Sequence, residues 1–265
     1  MTLLFYETIF IFIGLFAGLM AGALGLGGGI VVVPGLVFFF QLTGVIPAES
    51  IMHVAIASSL AVILFTSLAS LNSHRRMGEI AWPVFSKLSP GLALGACLGA
   101  LSSAFIPTSV LKIIFTVFLF GVALKMVLDL HRSHEPHFLP TWLYVLSSLL
   151  IGCIAAILGV GGGVLLIPFL TYVGIESRKI APLSNLGGLI IATVGMVLLM
   201  IGGFNEMAHV PYTLGYIYWP AVLGIAIPSS LIAPFGAKLN YILPMHYLKY
   251  GFIVILILTA IKMLV

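Results

Sequence analysis

Two glycine clusters hold this chain's clearest capacity for chemistry. Gly25, Gly27, Gly28 and Gly29 precede Pro34, and Gly159, Gly161, Gly162 and Gly163 precede Pro168 at the same spacing. Glycine lets a ligand approach bare backbone, and the start of a helix offers unpaired N–H groups and a partial positive charge. Such a start suits the oxygens of an anion. Ser58 and Ser59 in Ala55-Ile-Ala-Ser-Ser-Leu60 are matched by Ser184 and Asn185 in Ala181-Pro-Leu-Ser-Asn-Leu186. Polar groups inside an apolar span need partners, and the Asn185 amide offers two donors. The competing reading is structural: glycines let transmembrane helices pack tightly, and a serine can cap a helix or bond back to its own turn. Pro34 and Pro168 each follow the last glycine by five residues, which suits a first helical turn, where a missing amide costs little.

Other chemistries find little material. No acid or base lies in the middle of an apolar segment, so the buried carboxylates that mark many proton relays are lacking. Glu7, Glu49, Glu79, Glu176 and Glu206 fall near expected segment ends, and Lys87, Lys112, Lys125, Lys249 and Lys262 are placed to snorkel. His53 and His74 could titrate near neutrality and read as interface residues. There is no His-Glu-x-x-His, Gly-x-Ser-x-Gly, P-loop or paired-cysteine motif, so no catalytic residue, metal or cofactor is expected. His131, His134 and His137 read as part of a solvated linker, and Cys97 and Cys153 as small buried hydrophobes.

The elements that must carry the glycines are membrane helices. With 62% hydrophobic and 7% charged residues, 265 residues cannot clothe a soluble globule. The excess of 11 basic over 7 acidic side chains sits near segment ends, where it orients helices in a membrane and does not point to nucleic acid. Apolar segments lie at about 3–23, 30–42, 52–72, 82–104 and 110–128, and again at about 140–158, 164–174, 183–203, 216–238 and 246–265. The first lacks a basic leader and is expected to be retained as a helix. Trp82, Trp142, Trp219 and the Tyr212–Tyr218 group suit interfacial belts.

Five segments are followed by five because the chain is an internal repeat. Gly78, Trp82, Pro83, Gly99, Pro107, Lys112 and Lys125 meet Gly215, Trp219, Pro220, Gly236, Pro244, Lys249 and Lys262 at a constant offset of 137, and the glycine clusters align at 134. Residues 1–130 form the first transmembrane repeat, 131–139 a cytoplasmic linker, and 140–265 the second repeat. Arg75, Arg76, Arg132, Arg178, Lys179 and Lys238 fall on one face if every segment changes sides, and the loops around 43–51, 106–110 and 204–214 carry no lysine or arginine. The basic face should be cytoplasmic, which inverts the second repeat and puts both termini outside.

Residues 30–42 would make a helix of about 20 Å against a hydrocarbon core of about 30 Å. The segment at 164–174 is shorter still. Each half-spanning helix should therefore start within the membrane, where its glycines must face protein or a water-filled cavity. The expected fold is all-α and membrane-integral: two inverted repeats of about five helical segments, each with a short helix after a glycine-rich loop.

The doubled Gly-x-Gly-Gly-Gly-x-x-x-x-Pro-x-Leu, the Ala-x-x-Ser-Ser and Ala-Pro-Leu-Ser-Asn segments, and the Gly-x-Ile-x-Trp-Pro late in each half resemble the TauE/SafE family of sulfite-exporter-like permeases across nearly the whole chain. The resemblance implies export of small sulfur-containing or organic anions, such as sulfite, sulfoacetate or related sulfonates, through the bacterial inner membrane. Many relatives have Thr-Ser after the alanine, whereas this chain has Ser58-Ser59 and Ser184-Asn185. The expected binding set is the eight named glycines with Pro34, Pro168, Ser58, Ser59, Ser184 and Asn185, and the expected partners are a small anion and membrane lipid. An anion channel, a structural membrane subunit and an intramembrane enzyme are the alternatives.

Overall fold

The computed structural model describes residues 2–24, 28–74, 80–128, 140–242 and 245–264. Among them, α1 (Thr2–Leu24), α2 (Gly29–Thr43), α3 (Ile51–His74), α4 (Trp82–Ser103) and α5 (Thr108–Leu128) are followed by α6 (Thr141–Leu158), α7 (Gly163–Tyr172), α8 (Ser177–Gly202), α9 (Trp219–Ile242) and α10 (Met245–Leu264). Spans within α3, α4, α5, α6, α8 and α9 are long and apolar enough to cross a membrane. The chain is an all-α, multi-pass membrane protein. Its outer faces carry exposed Leu94, Leu98, Val117, Leu150 and Leu231, which suit lipid, while α3 is the most enclosed span.

At 15 and 10 residues, α2 and α7 are about 22 Å and 15 Å long, too short to span a core of about 30 Å. One departure from the sequence reading precedes α9. Residues 213–218 form a small antiparallel hairpin, β1 (Thr213–Leu214) with β2 (Ile217–Tyr218), and α9 begins only at Trp219. Gly215 turns it at φ 57°, a left-handed conformation that glycine adopts without steric cost.

Each of the longer helices finds its main neighbour in the other half of the sequence, whereas α2 packs chiefly on α3 and α7 on α8. α1 lies along α9, α4 along α6, α3 against α8 and α5 against α10. The two long seams are zipped by glycine. A β-carbon on Gly18 of α1 would stand 2.4 Å from the Ser229 carbonyl oxygen of α9, and one on Gly152 of α6 would stand 2.5 Å from the Leu92 carbonyl oxygen of α4. These contacts are related by the same two offsets that align the repeats, since 18 maps to 152 and 92 to 229. Gly91, Gly95 and Gly99 add a stripe on α4, where β-carbons would meet the carbonyl oxygens of Val145, Leu149 and Cys153 at 2.4, 2.1 and 2.3 Å. Small residues let backbones approach this closely where lipid supplies no hydrophobic drive between helices.

Candidate functional site

The glycine loop of the second half is built residue by residue. Gly159 ends α6 in a left-handed conformation (φ 66°), with its own amide donating to Ala156 O and that of Val160 to Ala155 O, the paired bonds of a Schellman stop. Gly162 is also left-handed (φ 73°, ψ −23°), and its carbonyl accepts the amides of Leu165 and Leu166 to start α7. Gly28 has nearly the same geometry (φ 71°, ψ −23°), and its carbonyl accepts Val31 and Val32 to start α2. Gly25 and Gly27 lie outside the described residues. The prolines are not in the first turn: with helices starting at Gly29 and Gly163, Pro34 and Pro168 are the sixth residues. There each lacks the amide that would close onto the carbonyl four residues back, at Ile30 or Val164.

The start of α2 meets the α6–α7 loop. A β-carbon on Gly29 would stand 2.6 Å from the Gly159 carbonyl oxygen and 3.0 Å from Val160 Cα. α3 and α8 close around this junction: β-carbons on Gly161 and Gly162 would each lie 2.6 Å from Ile63 and Ile191, and one on Gly188 would lie 2.4 Å from the Gly161 carbonyl oxygen. Protein atoms thus occupy the space beside Gly28, Gly29, Gly159, Gly161 and Gly162, as the packing reading requires. The amides tell a second story. Gly29, Ile30, Gly161, Gly163 and Val164 are buried, and their N–H groups have no acceptor among the described residues. Gly29, Ile30, Gly163 and Val164 are the first two residues of α2 and α7, whose amides have no acceptor within their own helix.

The polar side chains divide. Ser59 donates from Oγ to the Gly159 carbonyl at 2.8 Å, tying α3 to the loop. Ser58 accepts the Tyr218 amide at 3.0 Å and so holds the hairpin. Ser184 is buried, and its Oγ has no hydrogen-bond partner among the described residues. It lies one turn before Gly188, on the α8 face that meets the loop. Asn185 is half-buried and has a partner. Thr66 and Ser67, overlooked in the sequence reading, are buried hydroxyls further along α3, with Ser67 Oγ 3.7 Å from a β-carbon position on Gly188. Their spacing after Ser59, close to two helical turns, was the available signal.

A cavity of about 630 Å³ runs along α2 between α1 and α10. Ile30, Val31 and Pro34 line one end beside the glycine loop, and Gln41, Thr259 and Lys262 bring polar groups to it. Lys262 holds its ammonium 3.5 Å above the Phe38 ring, so its charge rests on an aromatic face at the cavity wall.

A second polar cluster caps α3, joining His53, Glu206 and Tyr216, which the sequence reading named separately, with Ser50, which it did not name. Ser50, just before the helix, donates to Glu206 Oε1 at 2.9 Å, and the Tyr216 hydroxyl donates to Glu206 Oε2. His53 stacks on Tyr216 with ring centroids 5.2 Å apart and bonds through Nε2 to the Ser103 carbonyl at 3.1 Å. The Tyr216 hydrogen bond, with help from Ser50 and the nearby His53, holds the Glu206 carboxyl below its ordinary range. Burial, then the neighbouring carboxylate, pushes the Tyr216 hydroxyl well above the usual phenol value. Tyr216 and Tyr218 are buried, and only Tyr212 of that expected aromatic group is largely exposed. The His74 side chain lies outside the described residues.

Comparison with known proteins follows the same line. A family model described as "Sulfite exporter TauE/SafE" matches residues 10–263. A probable membrane transporter protein of Haemophilus influenzae is 33% identical over 95% of both chains. Similar proteins of the same description occur in Methanocaldococcus jannaschii, 27% identical over 90% of this chain and 88% of that one, and in Bacillus subtilis, 24% identical over 88% of each. No solved structure matches the chain.

Proposed function

Because the chain belongs to the TauE/SafE sulfite exporter family, we propose that it is a secondary transporter that exports small sulfur-containing or organic anions, such as sulfite or sulfonates, by alternating access. The observation that carries this reading is the contact of the α2 start with the α6–α7 loop, where two helix starts with matching left-handed glycines carry buried amides that have no acceptor among the described residues. An anion there would satisfy donors that nothing else in the described structure satisfies, helped by the positive ends of two helix dipoles. Ser184, with its unpartnered hydroxyl, supplies the first side-chain contact, and Asn185, Ser58 and Ser59 flank it.

Protein atoms fill the space around the glycines, and we read this conformation as the closed state of a carrier. We place the basic loops and the linker 131–139 in the cytoplasm of an inner-membrane protein and both termini outside, so that the halves 1–130 and 140–265 are inverted repeats related by an axis in the membrane plane. The cavity along α2 then serves as a lateral vestibule leading to the junction. An inside-negative potential favours the outward movement of any anion that crosses with net charge, by about 2.3 kcal/mol per charge per 100 mV. The test is counterflow in proteoliposomes with a panel of radiolabelled sulfite and sulfonates. Saturable exchange of at least one member is expected, and absence of exchange for every member with correctly folded protein would sink the assignment.

A further inference from the structure

We propose that His53 is a proton-binding site of the transporter, taking H⁺ on Nδ1 so that a proton moves together with the anion. This rests on the transport reading above and adds a coupled ion to it.

The tautomer follows from geometry. His53 Nε2 lies 3.1 Å from a carbonyl oxygen, that of Ser103, which can only accept, so Nε2 carries the hydrogen. Nδ1 of the neutral ring is then a bare lone pair. It is buried without a partner among the described residues, in a side chain only 7% exposed. A buried acceptor left unpaired is costly unless it has a use, and the use open to an imidazole nitrogen is to receive a proton.

The surroundings suit a cation. The ring lies against Tyr216 at an interplanar angle of 27°, so the π face of the phenol covers it. Behind Tyr216 stands the Glu206 carboxylate, fixed by the Tyr216 and Ser50 hydroxyls, as counter-charge. Glu206 is itself exposed, which gives the cluster an edge on water. The α4 end facing His53 contributes a backbone carbonyl, and Glu49 and His209, on the connections that flank the cluster, are exposed. Glu206 and Tyr216 are thus the titratable groups packed at the ring.

The cluster is also wired to the anion junction. The hairpin that carries Tyr216 grips Ser58 through the Tyr218 amide, and the next residue of α3, Ser59, grips the Gly159 carbonyl. Six residues of helix put His53 about 9 Å along α3 from Ser59. A positive charge on His53 favours a negative solute at the junction, and the reverse holds equally because coupling is reciprocal. The proton is taken from water on one side and returned on the other, and no bond of the anion changes. A monoanion then crosses without net charge.

The test uses proteoliposomes holding a pH dye, with whichever panel sulfonate shows counterflow, because a sulfonate carries no proton of its own near neutrality. Wild-type efflux should alkalinise the lumen, and His53→Gln should lower net flux at least tenfold and abolish the pH change. Glu206→Gln and Tyr216→Phe weaken the counter-charge without removing the imidazole, so both should keep the pH change and move the flux profile to lower pH. Counterflow without proton movement in the wild type overturns this inference alone, whereas absence of counterflow for every anion overturns the transport reading and this with it. Proton movement retained in His53→Gln also overturns it. Should that variant not fold, an unshifted profile in both other variants does so.

Discussion

Ser58 and Ser184 occupy matching places in the two repeats and do different work. The first accepts an amide of the hairpin, so Ser58→Ala would leave the Tyr218 N–H buried and unpaired, at a cost of about 1–3 kcal/mol in unfolding free energy. The second hydroxyl is already unpaired. Ser184→Ala should therefore leave the thermal midpoint unchanged or raised while flux falls roughly tenfold, the worth of one hydrogen bond of about 1.4 kcal/mol to the solute. Equal flux in this variant would remove Ser184 from the binding set. Glu206 carries a pH signature. Its carboxyl is held below the ordinary range, so its contribution to stability is present above that range and lost as pH falls through the depressed value. Thermal unfolding followed into acid should show a steeper loss for wild type than for Glu206→Gln. The serines and Asn185 were legible because polar side chains stand out in apolar spans. The cluster of Tyr216 and Glu206 with His53 was not, since Glu206 lies in a connection, Tyr216 at the very start of an apolar segment, and only the hairpin brings Tyr216 over His53.

At the scale of an element, the glycines of the short helices fall into two kinds. Gly44 at the end of α2 is left-handed (φ 64°) with nothing within 4 Å of a β-carbon, so Gly44→Ala should cost only the conformational penalty of about 1 kcal/mol and preserve flux. Gly29 has an ordinary conformation, but its β-carbon would sit 2.6 Å from the very carbonyl that Ser59 holds. Gly29→Ala must push α2 off the α6–α7 loop, and a larger loss of stability together with loss of flux is expected in detergent melting and counterflow. The two short helices were readable from glycine and length alone. The true place of Pro34 and Pro168 was not, because sequence does not fix whether a helix begins at the glycines or at the proline. The glycine stripe of α4 escaped notice for a related reason, since its meaning depends on α6 lying alongside.

For the whole molecule, paired Trp-Pro and lysine positions relate the two halves of the sequence, but the packing of helices across the halves was not legible in them, because a sequence match says nothing about which copy a helix faces. α1 rests on α9 and α4 on α6, so neither half can cover its own glycine faces. Chains cut within residues 131–139 should co-purify when expressed together, and each half alone should be degraded or aggregate. Independent, stable folding of one half would contradict these seams. With Cys97 and Cys153 replaced, single cysteines near residues 43–51 and 204–214 should react with an impermeant reagent from outside, and cysteines in the linker only after permeabilisation. The seam of α1 with α9 also has a biosynthetic consequence. The ribosome delivers seven helices between α1 and α9, so the glycine groove of α1 waits through the synthesis of all of them with only lipid or the insertion machinery to cover it. Quality control of this protein should accordingly act late, on chains whose first helix is still without its mate.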